Sequence, residues 1–483
     1  MQDARREQAV QQVLRRMAEG GIRQVRLAWC DVHGMTRGKT LMPRAVHGAL
    51  MDGLGMVSTL MLKDSADRTA WKVFEDGGTQ GLHGFGAANN LLLLADPGSY
   101  DELPWAPGTA WLQCQPWLQD GTPVALDSRR VLQSALARLA GHGLGLVCGL
   151  EVEFHIYRIR DASAQLNPDA ADWPGPPPEV DLIHPGYQLL GEAWADLSDE
   201  PLAIVRETAQ GLGLPLLSLE IELGPSQVEA VFAAQDALTA ADQMVRFRNG
   251  VRQALRRAGY HASFMCRPPF ARIMSSGWHL HQSLVDLHSG SSRLRHDAPA
   301  TAAGPDDARH VLSDTGAHWL AGLLAHARGM AAFCTTTANG YGRFQPHMLA
   351  PCAAVWGRDN RGAMLRVVGE CGDAATRIEN RIGEPAANPY LYMAAQIHAG
   401  LDGIERALVP PAATRSPYQA GLPALPASLG EALHALRDDA VLCQAFGAGF
   451  IDYYTRIKQA EATRHAAAAD ARDFDRREYF SRI

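Results

Sequence analysis

Four short segments of the chain alternate apolar and charged residues with a period of two. In GLEVEFHIY (149–157), Glu151, Glu153 and His155 share one face and the apolar residues share the other. Successive side chains of a β-strand point to opposite faces of its sheet, so each segment predicts a strand with one apolar and one polar face. The other three segments are LSLEIEL (217–223), GWHLHQSL (277–284) and TRIENRI (376–382).

Other patterns predict the elements around these strands and a domain boundary near residue 120. Residues 3–19 predict an amphipathic helix, and residues 22–34 predict a strand that ends in a turn at Gly34. A break at 116–127 precedes a helix that Asp127 can cap. The apolar residues on one face of that helix are Val131, Leu132, Ala135, Leu136 and Leu139. The boundary therefore divides the chain into domains at 1–120 and 121–483.

Proline-rich and turn-rich stretches predict the longer connections. These loops lie at 167–179, 285–308 and 409–427. The tail from Ser428 is rich in alanine and charge and predicts two helices.

Composition narrows the class of protein. The chain has 483 residues, a formal net charge of −7 and 47% hydrophobic residues, which is ordinary globular composition with no basic block. Its eight cysteines form no CxxC pair, and no apolar run is long enough to span a membrane. We therefore expect a cytoplasmic protein with no nucleic-acid partner and no membrane partner.

The polar faces of the four strands carry the candidate chemistry. Each face alone could be solvated, but together they gather carboxylates, imidazoles and guanidiniums. Clustered carboxylates are costly unless cations neutralise them, and glutamate with histidine suits magnesium or manganese. Arginines beside such a cluster suit phosphate or carboxylate, which points to phosphoryl transfer. The segment GMTRGKT (34–40) is not a P-loop, because its glycines lie four rather than five positions apart.

Several longer motifs resemble those of the glutamine synthetase family. They are GLEVEF (149–154), ELGPSQVE (222–229), SSGWHLHQSL (275–284), NGYGRFQP (339–346), RDNRGAMLRV (358–367) and RIENRIGEPAANPYL (377–391). The resemblance implies an α+β fold, with a small N-terminal β-grasp domain and a large catalytic domain. The catalytic domain would hold a curved antiparallel sheet flanked by helices. It also implies a homo-oligomer of stacked rings, a dodecamer, with each active site between the small domain of one subunit and the large domain of the next.

The resemblance further implies two or more Mg²⁺ or Mn²⁺ ions per active site, with ATP as co-substrate. The implied metal ligands are Glu153, Glu222 and Glu229 on the acceptor side, and Glu151, His279 and Glu379 on the side of the nucleotide phosphates.

Further roles follow from the same resemblance. The residues matching arginines that grip glutamate and the transferring phosphoryl group are Arg343, Arg361 and Arg381; those near the nucleotide are His281, Ser283 and Arg366. Asp64 matches the aspartate that takes a proton from the incoming amine, and Tyr187 matches a residue beside the amine site.

Two departures from the family pattern bear on the substrates. Leu349 stands where ammonia-using members carry a glutamate that helps hold ammonium, and Met274-Ser275 replaces an asparagine-glycine that contacts glutamate. An apolar wall favours an amine that is neutral near pH 7, such as an arylamine, over a cationic one.

We therefore expect an ATP-dependent ligase that joins the glutamate γ-carboxylate to a bulky or aromatic, aniline-like amine, through a γ-glutamyl phosphate, in amine catabolism. The alternatives are a γ-glutamylpolyamine or alkylamine synthetase, a true glutamine synthetase that uses ammonia, a non-catalytic structural homologue, and a guanidino-kinase-like phosphotransferase.

Overall fold

The computed structural model describes residues 2–297 and 304–483 and contains two β-sheets. The strands in chain order are β1 (Gln24–Cys30), β2 (Thr36–Leu41), β3 (Leu54–Val57), β4 (Asn90–Ala95), β5 (Asp101–Glu102), β6 (Thr109–Trp117), β7 (Leu144–Asp161), β8 (Glu179–Leu182), β9 (Leu216–Ile221), β10 (Gln227–Asp236), β11 (Tyr260–Ser263), β12 (Trp278–Asp286), β13 (Trp356–Arg358), β14 (Leu365–Val368) and β15 (Arg377–Asn380).

Helices follow the amphipathic and apolar segments of the chain. The α-helices are α1 (Gln2–Glu19), α2 (Pro43–Asp52), α3 (Ser128–Gly141), α4 (Ser163–Leu166), α5 (Glu192–Leu197), α6 (Asp199–Gly211), α7 (Ala237–Arg257), α8 (Asp314–Ala325), α9 (Ala327–Cys334), α10 (Pro389–Glu405), α11 (Leu429–Asp438), α12 (Ala440–Phe446), α13 (Ala448–Ala466) and α14 (Ala471–Asp475). The 3₁₀ turns are Ser58–Leu62, Pro97–Ser99, Pro168–Ala170, Ala308–His310 and Gly340–Arg343, and a π-helical turn spans Arg476–Phe480.

The first sheet contains the six strands β1 to β6. Its order is β2-β1-β6-β4-β3, with β5 paired to β6, and the β1–β6 pair is parallel. The predicted N-terminal helix, the strand and the turn are confirmed, and Gly34 takes the left-handed φ of 79° that closes the turn. The domain boundary near residue 120 stays a prediction.

The second sheet contains the other nine strands and carries the four predicted alternating segments. Its order is β13-β14-β15-β12-β7-β10-β9, with β8 and β11 both paired to β7. The pairs are antiparallel apart from β13–β14. Strands β7, β9, β12 and β15 confirm the four predicted strands. Because three of these strands occupy neighbouring positions at the centre of the sheet, their polar faces lie side by side.

The apolar faces of this sheet and its helices form one large core. Helix α10 is buried along most of its length and contacts α3, α7, α8 and α9. Asp127 caps α3 as predicted, by accepting a hydrogen bond from the Arg130 backbone N–H. Val131, Leu132 and Leu139 of that helix are buried.

The C-terminal tail differs from the prediction. It forms the four helices α11 to α14 rather than two. Asp439 accepts a hydrogen bond from the backbone of Leu442 and starts α12, and Gly447 has a φ of 84° and separates α12 from α13. Alanine-rich composition alone did not reveal these two interruptions.

The predicted loops are largely confirmed. The stretch 409–427 has no helix or strand, and 167–179 holds only a short 3₁₀ turn before β8. The loop at 285–308 begins after β12, and its residues 298–303 lie outside the described part of the chain. Within the described residues, no helix is both long and apolar enough to cross a membrane.

Candidate active site

Strand register brings the predicted polar residues together on one face of the nine-stranded sheet. His279 of β12 lies opposite Glu151 of β7, and Glu229 of β10 lies opposite Glu153 of β7. Across the next pair, His281 faces Glu379. Directly opposed residues on adjacent strands have neighbouring side chains, so the four segments build a single site.

Two groups within this site have the geometry of metal ligands. Glu151, His281 and Glu379 offer ligand atoms within 4.8 Å of one another, and so do Glu151, Glu229 and His279. Carboxylate oxygens with an imidazole nitrogen match the preferences of Mg²⁺ and Mn²⁺. Glu151 belongs to both groups, so this face can hold two cations that share one carboxylate.

The grouping differs in detail from the set that the resemblance implied. Glu151 and Glu379 lie together as expected, but His281, assigned to the nucleotide, lies with them at ligand distance. Glu153 and Glu222 belong to neither group among the described residues. Glu153 instead accepts hydrogen bonds at Oε2 from the backbone N–H of Gly277 at 2.8 Å and from another side chain.

Burial and mutual repulsion raise the pKa values of two carboxylates in the cluster. Burial, together with the charges of Glu153 and other neighbouring glutamates, raises the pKa of Glu222 to about 8. Burial and the charges of Glu151 and Glu153 raise the pKa of Glu229 to about 10. The carboxylates on the β10 side of this face have too little positive charge around them. Divalent cations would supply that charge and would be bound by these carboxylates.

On the opposite side of the cluster, histidine contacts and Arg381 favour the ionised form of two carboxylates. Burial opposes ionisation of Glu151, but hydrogen bonds with His279 and His281 outweigh it and lower the pKa of Glu151. Burial likewise opposes ionisation of Glu379, and His279 and Arg381 outweigh it and lower the pKa of Glu379. These two carboxylates are therefore ionised and ready to bind cations near neutral pH.

Three of the predicted arginines border the cluster. Arg381 forms an ion pair with Glu379 Oε1, and Arg366 lies 2.9 Å from Glu379 Oε2. Arg343 is 5% exposed and donates to the Arg381 carbonyl at 2.8 Å. Its Nη2 lies 3.4 Å from His279 Nε2. The guanidiniums thus stand directly beside the candidate cation positions, where a transferring phosphoryl group would carry its charge.

A cavity of about 370 Å³ opens from the Glu151 end of the cluster. It brings together the predicted nucleotide residues with an apolar strip from β9 and β10. Its polar lining comprises Glu151, His281, Gln282, Ser283, Arg361, Arg366 and Arg377, and its apolar lining includes Leu217, Val231 and Phe232. A lining that contains both cationic groups and apolar side chains suits the phosphates and the base of a nucleotide.

Comparison with known proteins agrees with this geometry. The model of the glutamine synthetase catalytic domain matches residues 125–478, which is more than half of the chain. The chain belongs to the glutamine synthetase family. The chain is therefore an enzyme of the ligase class, and the α+β fold is confirmed.

Curated relatives cover nearly the whole chain. A γ-glutamylanilide synthase from an Acinetobacter species is 36% identical and covers 98% of this chain and 96% of the relative. A γ-glutamylethanolamide synthetase of Streptomyces coelicolor is 30% identical and covers 97% and 94%. Among solved structures, GmaS in complex with ADP is 27% identical, with a TM-score of 0.75 over 96% of this chain and 98% of that chain.

Asp64, the family's expected proton acceptor, has no contact with the metal cluster of its own chain among the described residues. It is 3% exposed, and its Oδ1 accepts hydrogen bonds from the backbone N–H groups of Ala66 and Arg68. Its Oδ2 lies 3.1 Å from Arg464 of α13.

The two predicted amine-pocket residues lie on exposed loops. Tyr187 is 55% exposed, and its hydroxyl donates to the Arg272 carbonyl. Leu349 is 57% exposed, and its carbonyl accepts a hydrogen bond from Arg381 at 3.2 Å. Both residues have left-handed φ angles, of 59° and 53° respectively, which cost free energy in residues that carry a side chain. The hydrogen bond from Arg381 holds the backbone of Leu349 beside the arginines of the site.

The sequence pattern missed two residues of this family site. Gln227 donates to Glu153 Oε2 at 3.1 Å and to Ser276 Oγ at 3.1 Å, so it holds the β7 carboxylate in place. Arg377 lines the 370 Å³ cavity and donates to His281 Nδ1 at 2.9 Å. The alternating pattern of TRIENRI places Arg377 on the same polar face as Glu379, so the sequence could have identified it. For Gln227, the sequence offered only its position within ELGPSQVE.

His155 shows the opposite outcome. It shares the polar face of β7 in the sequence pattern, but it is 0% exposed, and its Nδ1 lies 3.2 Å from Ser276 Oγ. Burial lowers the pKa of His155 to about 3, so the imidazole is neutral. It is a buried packing residue next to the site.

Proposed function

We propose that this chain joins the γ-carboxylate of glutamate to a bulky or aromatic amine such as aniline, in amine catabolism. The observation that carries the proposal is the position of Leu349. This residue has an apolar side chain, and its backbone carbonyl accepts a hydrogen bond from Arg381. Two relatives, named as synthases of an anilide and an ethanolamide, support an amine other than ammonia. The ethanolamide relative also keeps an alkylamine acceptor as a second candidate.

The reaction proceeds in two steps. A γ-carboxylate oxygen of glutamate attacks the γ-phosphorus of ATP, and ADP leaves, which gives γ-glutamyl phosphate. The amine nitrogen then attacks the carbonyl carbon of the acyl phosphate, the bond from that carbon to the phosphate oxygen breaks, and the amine gives a proton to the carboxylate that we propose is Asp64. Activation is needed because a carboxylate is a poor electrophile.

Residues of the sheet and of its adjoining loops would have different roles in these two steps. Glu151, His279 and Glu379, with His281, would hold divalent cations that neutralise the phosphates when bound. Glu153, Glu222 and Glu229 would line the acceptor side, where Glu229 lies within ligand distance of Glu151 and His279 and would share the second cation with them. The arginines would supply positive charge where the phosphoryl group transfers. These arginines are Arg343, Arg361, Arg366 and Arg381.

The nucleotide would occupy the cavity beside the phosphate-side cations. His281 and Ser283 line that cavity, and Leu217 and Phe232 provide apolar contact for a base. The acid substrate would then lie toward Glu153 and Glu229. Met274 packs close to Gly224 there, so we propose that the glutamate backbone is held without the family's usual asparagine contact.

We propose that the functional unit is a homo-oligomer of stacked rings, a dodecamer. Asp64 is paired with Arg464 and lies apart from the cluster of its own chain, so its proton-accepting role requires the next subunit. Tyr187 of each site would meet that neighbouring surface, because it is exposed on its loop.

A panel of amines tests the acceptor directly. Aniline, isopropylamine, ethanolamine, putrescine and ammonia are compared by kcat/KM in a phosphate-release assay with glutamate, ATP and Mg²⁺. We expect aniline to exceed ammonia by at least about tenfold, because a neutral arylamine gains from an apolar wall while ammonium loses its counter-charge. A preference for ammonia would contradict the proposal, and a preference for ethanolamine would favour the alkylamine alternative.

A matched pair of variants locates the preference at one residue. Leu349→Glu should raise kcat/KM for ammonia about fivefold and lower it for aniline, because a half-exposed carboxylate attracts a cation modestly. Leu349→Met keeps the wall apolar and should leave the ratio near its original value. An unchanged ratio in Leu349→Glu would remove this residue from the amine pocket.

A further inference from the structure

A second cleft, of about 640 Å³, lies at the C-terminal end of helix α7 and outside the site described above. Its lining shares no residue with the metal cluster or the nucleotide cavity. The lining residues are Gln165, Leu166, Asn249, Arg252, Gln253, Arg256, Arg257, His261, Ala262 and Ser481. This described lining contains three guanidiniums and not one carboxylate.

A fourth arginine reaches the rim from the N-terminal sheet. Arg26 of β1 donates to Gln253 Oε1 at 2.7 Å. Burial lowers the pKa of Arg26, and the nearby charge of Arg257 lowers it further. The cleft therefore combines cationic groups from β1 and α7, two elements that are far apart in sequence.

These arginines bond only to neutral oxygens. Arg252 donates to the carbonyls of Arg482 at 2.5 Å and Ser481 at 3.0 Å, and Arg256 donates to Gln165 Oε1 at 2.8 Å. In the described part of the chain, none of the four forms an ion pair. The chain has 52 acidic residues against 45 basic ones, so this local excess of positive charge runs against its composition.

Helix capping accounts for only part of the cluster. Arg256 and Arg257 occupy the last turn of α7, where positive charge offsets the helix dipole. Arg252 lies a turn earlier, and burial together with the charge of Arg248 lowers its pKa to about 10. Arg26 belongs to another element. A bound anion would neutralise the positive charge of these arginines, which no carboxylate of the described residues pairs with.

We propose that this cleft binds a small polyanion through a diphosphate group. Arg252 and Arg256 lie one helical turn apart on the same face, and the N–H groups that they do not donate to Ser481, Arg482 and Gln165 would serve two linked phosphates. The side-chain amides of Asn249 and Gln253 add neutral donors along the same wall. The volume exceeds that of pyrophosphate alone, so both free pyrophosphate and a nucleoside diphosphate satisfy this chemistry.

The test measures binding at this cleft separately from the nucleotide cavity. Equilibrium dialysis of labelled pyrophosphate, without divalent metal, is carried out on the full chain carrying Arg366→Gln, which weakens anion binding at the nucleotide cavity. We expect one remaining site per chain. Adding Arg256→Gln and Arg257→Gln should weaken its affinity at least tenfold, whereas Arg160→Gln, which removes an exposed ion-paired arginine, should leave it within twofold.

Separate arms identify the source of the anion. ADP competing as well as pyrophosphate assigns a nucleoside diphosphate, and pyrophosphate binding without ADP competition assigns the free ion; both outcomes support the cleft. Three results overturn it. They are the absence of a site in Arg366→Gln, equal competition by citrate at matched ionic strength, and a changed oligomeric mass in Arg256→Gln/Arg257→Gln, which would make the cleft a subunit contact.

Discussion

Replacing Glu151 by glutamine should lower glutamate- and amine-dependent ADP formation by about 10³-fold or more. Glu151 belongs to both candidate metal groups, and its Oε2 lies 3.2 Å from His279 Nδ1 and 2.9 Å from His281 Nε2. Glutamine keeps the size of the side chain but removes the negative charge. One substitution therefore weakens two cation positions, and the charge on the phosphates would go uncompensated in the transition state. Steady-state ADP release at saturating ATP and Mg²⁺ measures the loss.

Glu220→Gln provides the matched control for Glu151. Glu220 lies on the same sheet, opposite Glu229, and its Oε1 accepts a hydrogen bond from Ser218. It belongs to neither metal group among the described residues. Its replacement should leave ADP release within about threefold of the unmodified enzyme. Comparable losses in both variants would indicate that general negative charge, rather than metal ligation by Glu151, supports turnover.

Replacing Arg381 by alanine should have the second largest effect, a loss of about 10³-fold in kcat/KM for glutamate. Arg381 is 5% exposed, pairs with Glu379 and holds the Leu349 carbonyl. The variant removes a positive charge beside the proposed phosphoryl position and frees the loop that carries Leu349 at the same time. Rates with glutamate, together with the ratio of aniline to ammonia, separate these two consequences.

Two further variants control for stability in this experiment. Removing one partner of a buried ion pair destabilises a protein by about 3–5 kcal/mol, so thermal melting is recorded with each rate. Arg381→Lys keeps the charge and should recover part of the rate. Arg138→Ala breaks a surface pair with Glu405 and should leave activity unchanged. Full activity in a folded Arg381→Ala protein would exclude Arg381 from the reaction.

The alternating segments made the heart of the site predictable from sequence. A period of two fixes which residues share a face, so Glu151 and Glu153 on β7, and His279 and His281 on β12, could be placed on one side of a sheet. The order of the strands could not be read this way, because register between distant segments depends on tertiary pairing. The motifs resembling the glutamine synthetase family grouped these residues into one site but gave no strand order, which came from the structure.

Other features depended on tertiary contacts that the sequence pattern does not encode. His155 has the same periodicity as Glu153, yet the strands and loop around it bury it as a neutral imidazole. Asp64 was predicted to accept a proton, but only the fold reveals its pairing with Arg464, which is 400 positions away on α13. His281, predicted to contact the nucleotide, lies at metal-ligand distance because the β12–β15 register places it opposite Glu379.

We propose that glutamate is activated as a γ-glutamyl phosphate, which an arylamine then captures. The most direct test of this proposal uses glutamate labelled with ¹⁸O in the γ-carboxylate, with ATP, Mg²⁺ and aniline, followed by mass spectrometry of the products. We expect γ-glutamylanilide together with inorganic phosphate that carries one ¹⁸O atom from the carboxylate. Phosphate without the label, or labelled phosphate formed only with ammonia, would contradict it.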